Sequence, residues 1–286
     1  MSTKQINTLI EDLNRLLLSG EGREDEKLTQ ISEEFGKRMT DLFLRRVLSF
    51  GEKRESTLRM SNIGKPDTQL WFDLHGYEKH ENLTPSAILK FMYGDVIEEL
   101  VLSLCEAAGH TVERRQEEVE LEGILGHIDA IIDGELVDVK SASSYSFERF
   151  KDGSLKDNDS FGYIMQLSGY AEALGKPRGY FLAMDKTLGH TTLMESPALS
   201  DMAGRIRKIK EMLACDTPPI PKCSIKVEKN GNEYLGSPCS YCAFKHHCNP
   251  NLRTFVYSTG PRFFTKVVSE PRVLEVYIKE APTDVE

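Results

Sequence analysis

The chain has 286 residues, 40% of them apolar, and a formal net charge of −9. This is enough for one large domain, or a domain with appendages, around a real core, and the acidic balance argues against a general polyanion binder with a basic surface. No run approaches the ~20 apolar residues of a membrane helix, and MSTKQINTLIEDLNR lacks an apolar signal core, so a cytoplasmic protein without membrane contact is expected.

Residues 4–18 and 27–49 are predicted helices. Ile6, Ile10, Leu13 and Leu17 recur at helical spacing in the first, and Phe35, Met39, Leu42, Phe43 and Val47 in the second. A third helix starts at Thr84-Pro85, a good cap followed by proline, and ends at Gly109. Ile97, Leu100, Val101, Leu104 and Ala108 form its apolar stripe. Three strand-like runs follow at 111–121, 124–132 and 135–142, the last two joined by Asp133-Gly134, a strong hairpin signal. A polar loop, KDGSLKDNDS, leads to a helix over 161–174, a buried strand GYFLAM (179–184) and a helix over 198–215. The predicted class is α/β, a mixed sheet flanked by helices.

A two-residue turn at 133–134 places Asp129 opposite Asp138 and His127 opposite Lys140, all on one face. Opposed residues have Cβ atoms ~4.5–5.5 Å apart. Two carboxylates that close repel, and a divalent cation of the Mg²⁺ or Mn²⁺ type would remove the repulsion. Lys140 could orient water or hold charge developing on a phosphate. Against this stands the plainer alternative of edge-strand charges facing water.

GHIDAIIDGELVDVKSAS resembles the core of the PD-(D/E)xK nuclease superfamily, with its restriction-endonuclease-like fold. QLSGYAEAL (166–174) resembles the Gln-x-x-x-Tyr helix of the RecB-like branch, and GDVIEE (94–99) its Gly-x-x-x-Glu motif. The resemblance spans roughly residues 57–250 and extends to phage-encoded and CRISPR-associated exonucleases. It implies Asp129, Asp138, Glu98 and the Val139 carbonyl as metal contacts, Lys140 as the catalytic lysine, and Gln166 and Tyr170 as supporting residues. End-directed cleavage of DNA is what it favours, in recombination, repair or degradation, within the host cytoplasm if the protein is phage-encoded. Recombination or replication proteins are candidate partners.

CSYCAFKHHC carries Cys239, Cys242 and Cys248, a spacing that suggests metal ligation. It resembles the C-terminal cysteines of RecB-like exonucleases with a [4Fe–4S] cluster, which take a fourth cysteine from before the first core helix. Pro66 stands at that position here, and Cys223 is the replacement ligand. Zn²⁺ held by three cysteines and His246 or His247 is the alternative. Cys105 reads as core, and Cys215 as bystander or ligand.

RIRKIK (205–210) offers Arg205 and Lys208 for phosphate contact, with Arg59 and Lys65 as weaker candidates; a solvated helix face is the other reading. The expected organisation is an N-terminal helical region (1–54), a nuclease core (55–215), a cysteine-rich metal module (216–250) and a C-terminal tail (251–286). A non-catalytic DNA-binding scaffold and a cysteine-cluster redox or metal regulator are the rival functions.

Overall fold

The computed structural model describes residues 4–52, 56–79 and 84–276. In chain order its helices are α1 (Leu9–Ser19), α2 (Leu28–Leu48), α3 (Asp67–Leu74), α4 (Pro85–Ala107), α5 (Ser144–Lys151), α6 (Tyr163–Ala173), α7 (Met202–Leu213) and α8 (Lys245–Cys248). The strands are β1 (Val112–Glu113), β2 (Glu118–Leu121), β3 (Ile124–His127), β4 (Ala130–Ile132), β5 (Glu135–Ala142), β6 (Arg178–Asp185), β7 (Thr191–Pro197), β8 (Ile225–Val227), β9 (Glu233–Leu235), β10 (Arg253–Tyr257), β11 (Gly260–Lys266) and β12 (Leu274–Val276). They form two compact units, Met1–Gly64 with Leu83–Glu211, and Lys65–Asn82 with Met212–Glu286. No helix among the described residues is long and apolar enough to cross a membrane.

The first unit is the expected mixed α/β arrangement. Its sheet has the order β1-β4-β5-β6-β7, and only β5 and β6 run parallel. A parallel pair needs a crossover, which α5 and α6 supply. Apolar residues of α1 (Leu9, Leu13) and α4 (Val101, Leu102, Cys105) pack with Ala130, Ile132, Val137, Val139, Tyr180 and Leu182 of the sheet in one buried cluster. Thus α1, expected as part of a helical extension, is built into the core. Cys105 lies there as a wholly buried thiol.

The Asp133-Gly134 turn has both residues at positive φ (50° and 82°), the type I′ geometry that suits a two-residue hairpin. The ladder pairs Ile132 with Glu135 and Ala130 with Val137, the expected register. It stops there. The long run 124–132 breaks at Ile128-Asp129, and 111–121 breaks where Arg114 and Gln116 adopt positive φ, a conformation that cannot continue a strand. The outer halves pair with each other instead, as the two-stranded β2–β3 hairpin. The sequence pattern also missed β7 and α5, the latter capped by the Ser143 hydroxyl accepting from the Ser146 amide.

The second unit holds a five-stranded antiparallel sheet, β12-β10-β11-β9-β8, over a core of Leu235, Phe255, Phe263 and Phe264. The polar segment KNGNEYLGSP contributes β9 to this sheet. Asn232 is buried, donates to the Ser269 carbonyl and accepts from the Val268 and Ser269 amides (2.9, 2.7 and 2.9 Å). Three strands likewise occupy the stretch expected as a tail; residues 277–286 of that stretch lie outside the described residues.

Candidate active site

The hairpin ladder ends one residue short of Asp129, and that side chain closes it. Its Oδ2 accepts from the Val139 amide on β5 at 2.7 Å. Asp138 is buried on β5 and pairs with Lys140 two residues on. The shared face expected of residues two apart in a strand is thus realised for Asp138 and Lys140.

Glu98 reaches the same place from α4. Gln116 donates from Nε2 to its Oε1 at 2.6 Å. Burial, and the charges of Glu99 and Asp138, push the Glu98 carboxyl up to about 7. Burial also drives the Asp129 carboxyl well above the usual carboxylate range, with Asp138 and Glu98 adding to the effect. Burial opposes the charge of Lys140, but Asp138 and Asp129 outweigh it and hold the ammonium protonated.

Two positions from α6 complete the cluster. The Tyr170 phenol is buried, which pushes it up to about 12 against the opposing effect of neighbouring Gln166. One turn earlier, Tyr163 sets its ring 5.0 Å from Lys140 Nζ, a cation–π distance. Tyr163 and Gln116 escaped the sequence reading. Tyr163 carried a signal, its i,i+3 spacing from Gln166; Gln116 had none, because it reaches Glu98 through the break in the strand.

His127 does not face Lys140, contrary to the straight-hairpin expectation. It belongs to β3, opposite Glu118, with Nε2 3.7 Å from that carboxylate and 54% of its side chain exposed. The chain turn at Ile128-Asp129 is the reason.

Burial first, and then the charges of neighbouring carboxylates, disfavour the ionised forms of Glu98 and Asp129, a cost that a divalent cation held by oxygen ligands would offset. As placed, the three carboxylates are satisfied by the Val139 amide, Lys140 and Gln116. Accordingly, no group of three or more His, Cys, Asp or Glu side chains among the described residues closes on a common ion position.

In the second unit, Cys223, Cys239, Cys242 and Cys248 line one small cavity of about 30 Å³ with Pro66 and Pro238. The Asn249 side-chain amide donates to the Cys223 sulfur at 3.4 Å, and the Ser224 amide to the Cys239 sulfur at 3.4 Å. Burial, reinforced by the neighbouring cysteines, pushes the Cys248 thiol up to about 12. His247 points elsewhere: Nε2 lies 2.9 Å from the Glu78 carbonyl, and the ring stacks on Phe72. Cys215 is exposed and is not among the cavity's lining residues.

The basic helix is partly engaged. Arg207 pairs with Glu122 (2.6 Å) and Lys210 donates to the Glu122 carbonyl (2.5 Å), both at the β2–β3 turn. Lys208 is exposed, whereas Arg205 is half-buried.

No protein-family model matches the chain, and no curated protein matches it in sequence. Among solved structures, the protein SSO0001 is similar over 76% of this chain and 96% of its own, at 18% identity and a TM-score of 0.38. A phage-related exonuclease from Haemophilus somnus 129PT matches 55% of this chain and 92% of its own, at 17% identity and a TM-score of 0.40. An alkaline exonuclease from Laribacter hongkongensis matches 53% and 89%, at 14% identity and a TM-score of 0.32.

Proposed function

We propose that the chain is a metal-dependent deoxyribonuclease that hydrolyses phosphodiester bonds from DNA ends. One observation carries the reading. Three carboxylates, Asp129, Asp138 and Glu98, and the ammonium of Lys140 come together as a cluster of buried (Asp138) and half-buried groups near Gln166 and Tyr170. An edge-strand charge facing water would be exposed; Asp138 is 2% exposed.

In this reading Asp129, Asp138, Glu98 and the Val139 carbonyl hold Mg²⁺ or Mn²⁺. When bound, the cation supplies Lewis-acid stabilisation of the phosphate and lowers the pKa of a nearby water. Lys140 is kept charged by the two aspartates, and its pair with Asp138 would loosen were that carboxylate shared with a bound cation. Its ammonium then stabilises negative charge building on the phosphate. The Tyr163 ring, 5.0 Å from Lys140 Nζ, limits where Lys140 can go. Lys208 and Arg205 are the contacts proposed for phosphates along the helix side, with Lys208 the freer of the two.

For the second unit we propose that Cys223, Cys239, Cys242 and Cys248 are thiolate ligands of one metal centre, a [4Fe–4S] cluster ahead of Zn²⁺. Four thiols lining one cavity support it, as does the disfavoured ionisation of Cys239, Cys242 and Cys248, caused by burial and then by neighbouring cysteines, which a metal cation would reverse.

The test is cleavage of end-labelled linear DNA and covalently closed circular DNA with Mg²⁺, Mn²⁺ or EDTA, for the wild type and Asp138→Asn. Expected are metal-dependent loss of the linear substrate, sparing of the circle, and a drop of at least ~10²-fold for the variant, the scale of removing a principal charge-stabilising group. Wild-type cleavage by Asp138→Asn would end the assignment.

A further inference from the structure

Within the first unit, a groove of about 580 Å³ lies beside the carboxylate–lysine cluster. The segment 57–61 forms one wall and the β2–β3 hairpin the other, with Gln166 and Tyr170 between them. The volume falls within the range of small-ligand sites, about 300–1,000 Å³. Four features suit it to a strand of nucleic acid.

Arg59 is exposed on the first wall and makes no ion pair among the described residues. Leu125 stands on the hairpin with 45% of its surface exposed, apolar area that a packed core does not use. The hairpin is held close to the floor. A Cβ on Gly126 would run into Met60 and come within 2.6 Å of the Tyr170 ring, so only glycine lets the backbone lie this near. At its other end the hairpin turn is pinned by Arg207 and Lys210 through Glu122. A fixed wall, a guanidinium with no ion pair among the described residues and an apolar ledge suit a single strand, through one backbone contact and apolar contact with a base. One acid, Glu118, also lines the groove, and it is engaged with His127.

We infer that this groove seats a single strand of nucleic acid next to the reacting phosphate, with Arg59 on a backbone phosphate and Leu125 against a base. The inference rests on the nuclease reading above. It adds a substrate form, a strand separated from its complement, and two residues that the motifs do not contain.

The experiment measures binding of a labelled 12-nucleotide single strand and of the matching duplex by fluorescence anisotropy. The protein is the full chain carrying Asp138→Asn, so that substrate is not consumed. Arg59→Ala on this background should weaken single-strand binding roughly tenfold and lower the salt slope by about 0.7, the loss of one phosphate contact. Leu125→Ala should weaken binding several-fold with the slope unchanged. Duplex binding should fall less in both. Oligonucleotides with neutral methylphosphonate linkages, tested on the unaltered wall, should reproduce the Arg59→Ala loss; this arm does not depend on how a variant folds. Unchanged affinity and slope in Arg59→Ala, while the wild type cuts DNA, would overturn the groove and leave the nuclease reading intact. No metal-dependent cleavage by the wild type, together with no binding by Asp138→Asn, would remove both.

Discussion

Asp129 accepts a hydrogen bond from the Val139 amide at 2.7 Å, between the residue that ends the β4 ladder and the strand that carries Asp138 and Lys140. The contact explains how two carboxylates sit together without metal. One is shared with a backbone amide, the other with an ammonium. Asp129→Ala should therefore cost both metal affinity and local order, because the Val139 amide, buried on its strand, loses its acceptor, an effect of about 1–3 kcal/mol. Asp129→Asn keeps an acceptor and should retain stability while losing Mn²⁺ binding. Thermal unfolding and calorimetric Mn²⁺ titration of the two variants separate these effects.

The Glu98 carboxyl, raised to about 7 from an ordinary 4.5, gives a pH dependence of defined sign. In the unfolded chain this group ionises first as pH rises. Folding of the metal-free protein is therefore penalised progressively between about pH 4.5 and pH 7, and by a constant amount above. Metal-free stability should fall across that window, and Glu98→Gln should flatten the fall. Mn²⁺ affinity should move the opposite way, increasing up to pH 7, since the cation requires the carboxylate. A metal affinity that does not change between pH 6 and 8 would remove Glu98 from the ligand set.

The hairpin turn is tied to the N-terminal helix by a buried histidine. His110 Nδ1 lies 2.6 Å from the Asp133 carboxylate, and its Nε2 is 3.3 Å from that of Asp12 on α1. Lys4 and Thr8 also reach Asp12, at 2.9 and 2.7 Å. Removing one partner from a buried charged network leaves the others uncompensated, at about 3–5 kcal/mol. His110→Ala should therefore lower thermal stability strongly and expose residues 4–19 to protease before the rest of the first unit. Asp25→Ala, whose ion pair with Arg23 is exposed, is the control and should do neither.

What could be read in advance was the part governed by local rules. Asp133-Gly134 set the register, so Asp129 and Asp138 fell together; Thr84-Pro85 and Gly109 bounded α4; the spacing of Gln166 and Tyr170 put both on one helix face. The unread parts depend on contacts between distant residues. Apolar alternation runs through 124–132 without marking the break at Ile128-Asp129, so His127 was placed on the wrong sheet. In β8–β12 the strands are short, and residues such as Asn232 are fixed by partners more than thirty positions away. Nothing in a local window announces them.

That sheet changes what the cysteines can be asked to do. Residues 216–276 bury Leu235, Phe255, Phe263 and Phe264 in a core of their own, and Asn232 ties the β8–β9 hairpin to the bend that follows β11. A metal centre is then a local clamp on the cavity wall, where Cys223 follows a proline-rich stretch and Cys239 and Cys242 lie on a single turn. Cys242→Ser should lose bound metal and increase protease cleavage near 215–224, while the strands between 253 and 276 stay protected. Protein purified without oxygen or chelator should be brown with absorbance near ~400 nm and should contain iron and sulfide, or else be colourless with one zinc; thiolates serve either. Cys215→Ser, at an exposed cysteine away from the cavity, should change neither metal content nor cleavage pattern. Elemental analysis that finds neither iron nor zinc in the wild type would leave the four thiols as packing residues, and Cys242→Ser should then be silent in both measurements.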